Sequence, residues 1–197
     1  MDKSLRVILV MALVSVLSVG LVMSGCSSEP GEPPPGDSEP DISGLGIITG
    51  VSAGSASDLR IGGPAPDFWF ETAQGQATSL SDLKGKIVLL NFWATWCTYC
   101  RMQMPYIEQI YEEWSGEELV VLAINVGESS DDVASFVQSQ GLAHPVLLDS
   151  EGQVYIRYVV PGLPTTFFID KEGLIQEVRV GAFESTEQIE SILNQLK

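Results

Sequence analysis

The sequence predicts one α/β domain behind a leader and a linker, and three observations carry that reading. From Ile61 onward, short apolar runs of strand length alternate with amphipathic stretches of helical period. Before Ile61 lie an apolar run from Val7 to Met23 and then a Pro-, Gly- and Ser-rich stretch without apolar periodicity. The 197 residues are 45% apolar, so what remains after those two segments still closes one good core.

Lys3 and Arg6 precede the run VILVMALVSVLSVGLVM, which ends in Ser24, Gly25 and Cys26. This reads as a secretion signal over residues 1–25, and the alternative is an uncleaved anchor spanning the membrane. Either way the domain lies outside the cytoplasm. The small-small-Cys ending resembles the lipobox of bacterial lipoproteins, with Met23 where leucine is usual. That resemblance implies cleavage before Cys26 and acylation of its thiol, which excludes it from redox work. Two or more acyl chains hold a protein firmly, each buried methylene contributing about 0.8 kcal/mol.

Residues 26–60 open with SSEPGEPPPGDSEPD and read as a disordered tether, followed by a domain over 61–197. In an extended conformation some thirty such residues reach at most on the order of 90 Å.

Within the domain, 67–71 and 76–80 flank Gln74-Gly75 and predict a hairpin, followed by a short helical turn at SDLKGK. Residues 87–94 read as a buried central strand. Met102, Tyr106, Ile110 and Trp114 predict a helix over 97–114, with Pro105 inside it demanding a kink. A buried strand over 119–126, a helix over 131–140 stopped by Gly141, and a short strand over 145–148 follow. Residues 165–169 and 174–180 surround the turn Asp170-Lys171-Glu172-Gly173, and 186–196 closes the chain as an amphipathic helix.

The formal charge of −16 excludes nucleic acid as a partner, because phosphate binding needs clustered Lys and Arg. The acidity is spread along the chain and reads as a solvated surface, one open to basic clients. His144 reads as structural, and Glu108, Glu112 and Glu113 as a solvated helix face.

Three cysteines divide into lone Cys26 and the close pair Cys97 and Cys100. With one histidine in the chain, a four-ligand zinc site is disfavoured and no metal is expected. A sulfur placed directly after a buried strand and at a helix start meets unpaired N–H groups and the positive end of the helix dipole. Both favour the thiolate, lowering a value near 8.5 into roughly the 3.5 to 7.5 range. Cys97 is therefore the expected attacking thiol, and Cys100, one turn on, the resolving thiol. A CxxC alone also fits half of a metal site or a structural disulfide.

The stretch NFWATWCTYCRMQMP, together with VPGLPTTFFID, resembles the thioredoxin superfamily in its TlpA/ResA-like branch of extracytoplasmic thiol-disulfide oxidoreductases. The resemblance covers most of residues 61–197. It implies a thioredoxin-like fold, a central mixed sheet flanked by helices, with the N-terminal hairpin and an inserted strand-helix unit at 119–140. It also implies a redox-active Cys97–Cys100 disulfide and a cis Leu163-Pro164 bond beside it. Client contact would come from Trp96, Leu163 and Pro164. No cofactor is needed. Clients would be disulfide-bearing proteins such as apocytochrome c, with electrons from a membrane thiol transporter of the CcdA or DsbD type.

Two residues depart from the pattern. Asn91 stands where thioredoxin has a buried aspartate, and Gln103 where ResA-like proteins place a glutamate. Deprotonation of Cys100 then lacks its usual carboxylate, and the resolving step is expected to be slower at low pH than in relatives with the acid. Rival readings are a disulfide-forming oxidase and a non-catalytic lipoprotein that binds partners through the same scaffold. A thiol peroxidase would need a lone peroxide-reactive cysteine rather than this pair.

Overall fold

A computed structural model of the chain describes residues 43–54, 59–114 and 118–197. The leader and Cys26 lie outside them. Eight strands form one mixed sheet: β1 (Leu45–Val51), β2 (Phe68–Glu71), β3 (Ala77–Ser79), β4 (Ile87–Trp93), β5 (Leu119–Val126), β6 (Val146–Asp149), β7 (Thr165–Ile169) and β8 (Ile175–Val180). Their order is β3-β2-β1-β6-β5-β4-β7-β8. Four helices connect or close them: α1 (Thr98–Trp114), α2 (Ser130–Gln140), α3 (Gln153–Arg157) and α4 (Thr186–Leu193).

β4 pairs in parallel with β5 and antiparallel with β7, and every one of its residues is buried. A strand covered on both faces has no solvent side, which is why IVLLNFW is continuous rather than alternating. Successive residues still point to opposite faces. Val88, Leu90 and Phe92 enter an aromatic core with Phe68, Phe70, Tyr158 and Phe167, while Ile87 and Leu89 meet Ile107 and Ile110 of α1.

The local signals act as expected at several boundaries. Ser79 and Asp82 cap a 3-10 turn at Leu80–Leu83, Ser79 N–H donating to Asp82 Oδ2 at 2.9 Å. Ser129 caps α2, and Gly141 ends it with φ 64°. Asp170 Oδ1 accepts from the N–H groups of Glu172 and Leu174 and shapes the β7-β8 turn. Helix α1 runs through Pro105.

Two elements differ from the sequence expectation. The span 26–60 is not tether throughout, since β1 lies within it, joined antiparallel to β2 and parallel to β6. Its glycines imitate a linker, but Gly46 serves packing: a Cβ there would lie 2.6 Å from the Glu71 carbonyl oxygen and 2.7 Å from Leu147 Cδ2. Helix α3 is too short for periodicity to reveal. Buried Asp149 holds it, accepting from Tyr155 N–H at 2.8 Å, and burial raises the Asp149 carboxyl above its ordinary range. The residue that leaves this helix, Val159, is left-handed with φ 49°.

Candidate active site

β4 ends at Trp93, and α1 starts five residues later, so Cys97 sits in the turn that converts strand into helix. Cys97 and Cys100 form a disulfide with Cα atoms 5.2 Å apart. The two sulfurs are unequal. Cys97 is 6% exposed and receives the Cys100 N–H at 3.1 Å, whereas Cys100 is wholly buried. An N–H directed at the outer sulfur favours its thiolate once the disulfide opens, and a client meets that sulfur first.

Trp96 stands on the surface, 69% exposed, and Tyr99 and Met102 are also exposed. The Leu163-Pro164 bond is cis. Leu163 packs against the cluster holding both cysteines, and Leu163 and Pro164 join Tyr99, Met102, Tyr106 and Phe183 around a groove of about 420 Å³. Of the five residues named from the sequence for redox or client contact, four therefore meet at this end of the sheet and Trp96 stands exposed next to Cys97, while Cys26, named for lipidation, lies outside the described residues. The set is Cys97, Cys100, Leu163 and Pro164.

Asn91 and Gln103 are both fully buried on the side of the sheet that α1 covers. Asn91 Nδ2 donates to Thr166 Oγ1 at 2.8 Å, and Gln103 Oε1 accepts from Phe183 N–H at 3.2 Å. His144 is structural as expected, but Glu108 is not a solvated residue. Its carboxylate accepts from Ala143 N–H at 2.9 Å and lies 2.6 Å from His144 Nδ1, joining α1 to the segment before β6. Burial opposes ionisation of Glu108, yet the His144 and Ala143 hydrogen bonds outweigh it and hold the carboxyl below its ordinary value of 4.5.

Sequence reasoning missed Glu128. Its carboxylate accepts from Thr95 N–H and from Asn125 Nδ2, each at 2.7 Å, and also from the Thr95 hydroxyl. One side chain thus ties the turn leading into Trp96 and Cys97 to the end of β5. Parallel pairing sets Trp93 opposite Asn125. The loops after two parallel neighbours emerge at the same sheet end, and that was the available signal.

Comparison with known proteins agrees with this arrangement. Residues 61–178 match the model of the AhpC/TSA family. The chain is 40% identical over 154 residues to the thiol-disulfide oxidoreductase ResA of Bacillus subtilis, covering 78% of this chain and 85% of ResA. Among solved structures, a thiol:disulfide interchange protein DsbE from Chlorobium tepidum superposes with a TM-score of 0.65 at 33% identity, over 71% of this chain and 99% of that one. The exposed lipoprotein thioredoxin Etrx1 of Streptococcus pneumoniae gives a TM-score of 0.59 at 34% identity, over 66% and 99%. With the strand-turn-helix cysteine pair on a thioredoxin-like sheet, these likenesses establish that the chain belongs to the AhpC/TSA family as a ResA-like thiol-disulfide oxidoreductase.

Proposed function

We propose that this oxidoreductase works as a membrane-anchored, extracytoplasmic reductase of protein disulfides. The inequality of the two sulfurs carries the reading: an outer Cys97 that receives an N–H, and an inner Cys100 that no client reaches. In the reduced protein the Cys97 thiolate attacks one sulfur of a client disulfide. The client S–S bond breaks, a mixed disulfide forms, and the client's other sulfur leaves as a thiolate that takes a proton. The Cys100 thiolate then attacks Cys97 Sγ, the Cys97–Cys100 bond forms, and the second client thiolate departs. Two electrons pass from the pair to the client, and no cofactor enters.

Exposed Trp96, the backbone at Leu163 and the Pro164 side of the groove form the client surface. An extended client segment pairs with the Leu163 backbone in this reading. Apocytochrome c fits as client, since its haem-binding cysteines must be reduced, and a CcdA- or DsbD-type transporter fits as electron donor. Cys26 carries the lipid and residues upstream of β1 span to the membrane. Among the described residues no helix is long and apolar enough to cross a membrane. That one similar structure is described as a lipoprotein thioredoxin supports the anchor.

The test is the reduction potential of the pair in the full-length chain carrying Cys26→Ser, equilibrated in glutathione buffers with free thiols counted. A value near the roughly −270 mV of thioredoxin supports the reductase. A value near the roughly −120 mV of a strong oxidant overturns it in favour of disulfide formation.

A further inference from the structure

The face of the sheet under α1 carries two apolar clusters with a polar seam between them. In one, Ile87 and Leu89 of β4 meet Ile107 and Ile110. In the other, Trp93 and Ala94 meet Cys100 and Met104. Asn91 falls between Leu89 and Trp93 on the strand, and Gln103 falls between Cys100 and Ile107 on the helix, so the two amides share the seam.

The hydrogen bond from Phe183 N–H fixes which end of the Gln103 amide is oxygen. Gln103 Nε2 is then a buried donor, and it has no partner. Buried donors are nearly always bonded, so the acceptor that this one serves is a fair question. A helical side chain leans over the turn before it, and the residue three positions earlier is its neighbour there. That residue is Cys100. In the disulfide its sulfur is a weak, neutral acceptor, and on reduction it becomes a thiol or thiolate.

We propose that the Gln103 side-chain amide donates a hydrogen bond to the Cys100 sulfur when the disulfide is open, so that a neutral donor stabilises the resolving thiolate. In the same proposal Asn91 Oδ1, equally buried and without a partner, accepts the S–H of the neutral thiol. The seam thereby solvates both protonation states of Cys100. Gln103 transfers no proton: the thiol proton leaves to water, and the departing client thiolate takes one up from water. The proposal rests on the dithiol exchange described above but not on its direction or client.

Ionisable groups nearby are committed elsewhere, and the other buried donor without a partner in the Cys100 cluster is Trp93 Nε1. The buried residues that share the apolar cluster of Cys100 include Trp93, Ala94, Ala123, Val133, Val146 and Leu148, none of them titratable in the neutral range. Glu128 is committed to Thr95 and Asn125, and Glu108 to His144 and Ala143 two turns along α1. Arg101 is exposed, and Asp149 is bonded to α3. Cys97 is the other ionisable group in that cluster.

The experiment isolates Cys100 in the full-length chain carrying Cys26→Ser and Cys97→Ser, in detergent, and follows its thiolate absorbance against pH. Gln103→Met removes the donor and is expected to raise the Cys100 pKa by about one unit, a tenfold loss of thiolate at pH below both values. Gln103→Glu keeps an acceptor for Phe183 N–H but puts a like charge beside the sulfur, and is expected to raise it at least as far. Gln103→Met titrating with its parent overturns the proposal, whatever Gln103→Glu does. A second readout needs no change at Gln103: its side-chain NH₂ resonances should move with the Cys100 titration, and resonances that stay still overturn the proposal equally. Neither readout involves a client, so a failed reductase assignment would leave both intact.

Discussion

On the face of the sheet away from α1, Phe92, Tyr158 and Phe167 pack edge-to-face or tilted with ring centres 5.0 to 5.8 Å apart, and Phe68 and Phe70 extend the cluster. The one polar atom among those rings, Tyr158 Oη, donates to the Pro66 carbonyl at 2.8 Å. The α1 face is built differently. Among the described residues, the buried side-chain polar atoms without a partner are Asn91 Oδ1, Trp93 Nε1, Gln103 Nε2, Asn125 Oδ1 and His144 Nε2, and all belong to that side. One face closes its single polar atom with a hydrogen bond, and the other, which holds the sulfur whose charge must change, keeps buried donors and acceptors uncommitted. Both faces carry apolar clusters, but among the described residues only the α1 face leaves buried polar groups in reserve between them.

The largest test of this contrast is Phe167→Ala, which should cost about 3–5 kcal/mol in denaturant unfolding. The potential of the cysteine pair in the folded fraction should not move. If it does, the two faces are coupled and the contrast fails. Glu128→Ala should remove about 1–3 kcal/mol by leaving the Thr95 N–H and Asn125 amide without their acceptor. It should also slow exchange and shift Trp96 fluorescence, with Glu128→Gln intermediate. A loss of stability with an unchanged exchange rate would assign this clamp to the scaffold alone.

Glu108→Gln should cost about 1 kcal/mol at pH 7, by weakening a charge-assisted bond to buried His144. The folded carboxyl lies below 4.5, so its contribution is present above the ordinary value and disappears as pH falls through the folded one. The difference between parent and variant in thermal unfolding should therefore close on acidification below 4.5. The smallest effect is a gain. Val159 holds φ 49°, a region strained for a β-branched residue, and Val159→Gly should stabilise by about 0.5 kcal/mol after the entropy of glycine is subtracted.

Much of this was legible because the strongest signals are local. A fully buried seven-residue run followed by Cys97 could be read as strand, turn and helix start, and Gly141 and the 170–173 turn gave their boundaries. β1 was illegible because Gly46 and Gly50 interrupt its apolar pattern, and the reason for Gly46 lies in two other strands. Glu128 and Glu108 were illegible as partners for a similar cause. Their hydrogen bonds span 33 and 36 residues, and a charged residue near a helix looks solvated until its neighbours are known.

The position of β1 also decides where this protein can be cut. Among the described strands it is the one that joins the β2-β3 hairpin to β6 in the sheet. A protease acting upstream of Leu45 would release a redox domain with its sheet complete. A chain begun at Ile61 would instead present Val146, Leu147 and Leu148 along a bare strand edge, a template for pairing with another copy. The boundary between a shed, working enzyme and an aggregating one thus lies inside a stretch whose composition looks like linker.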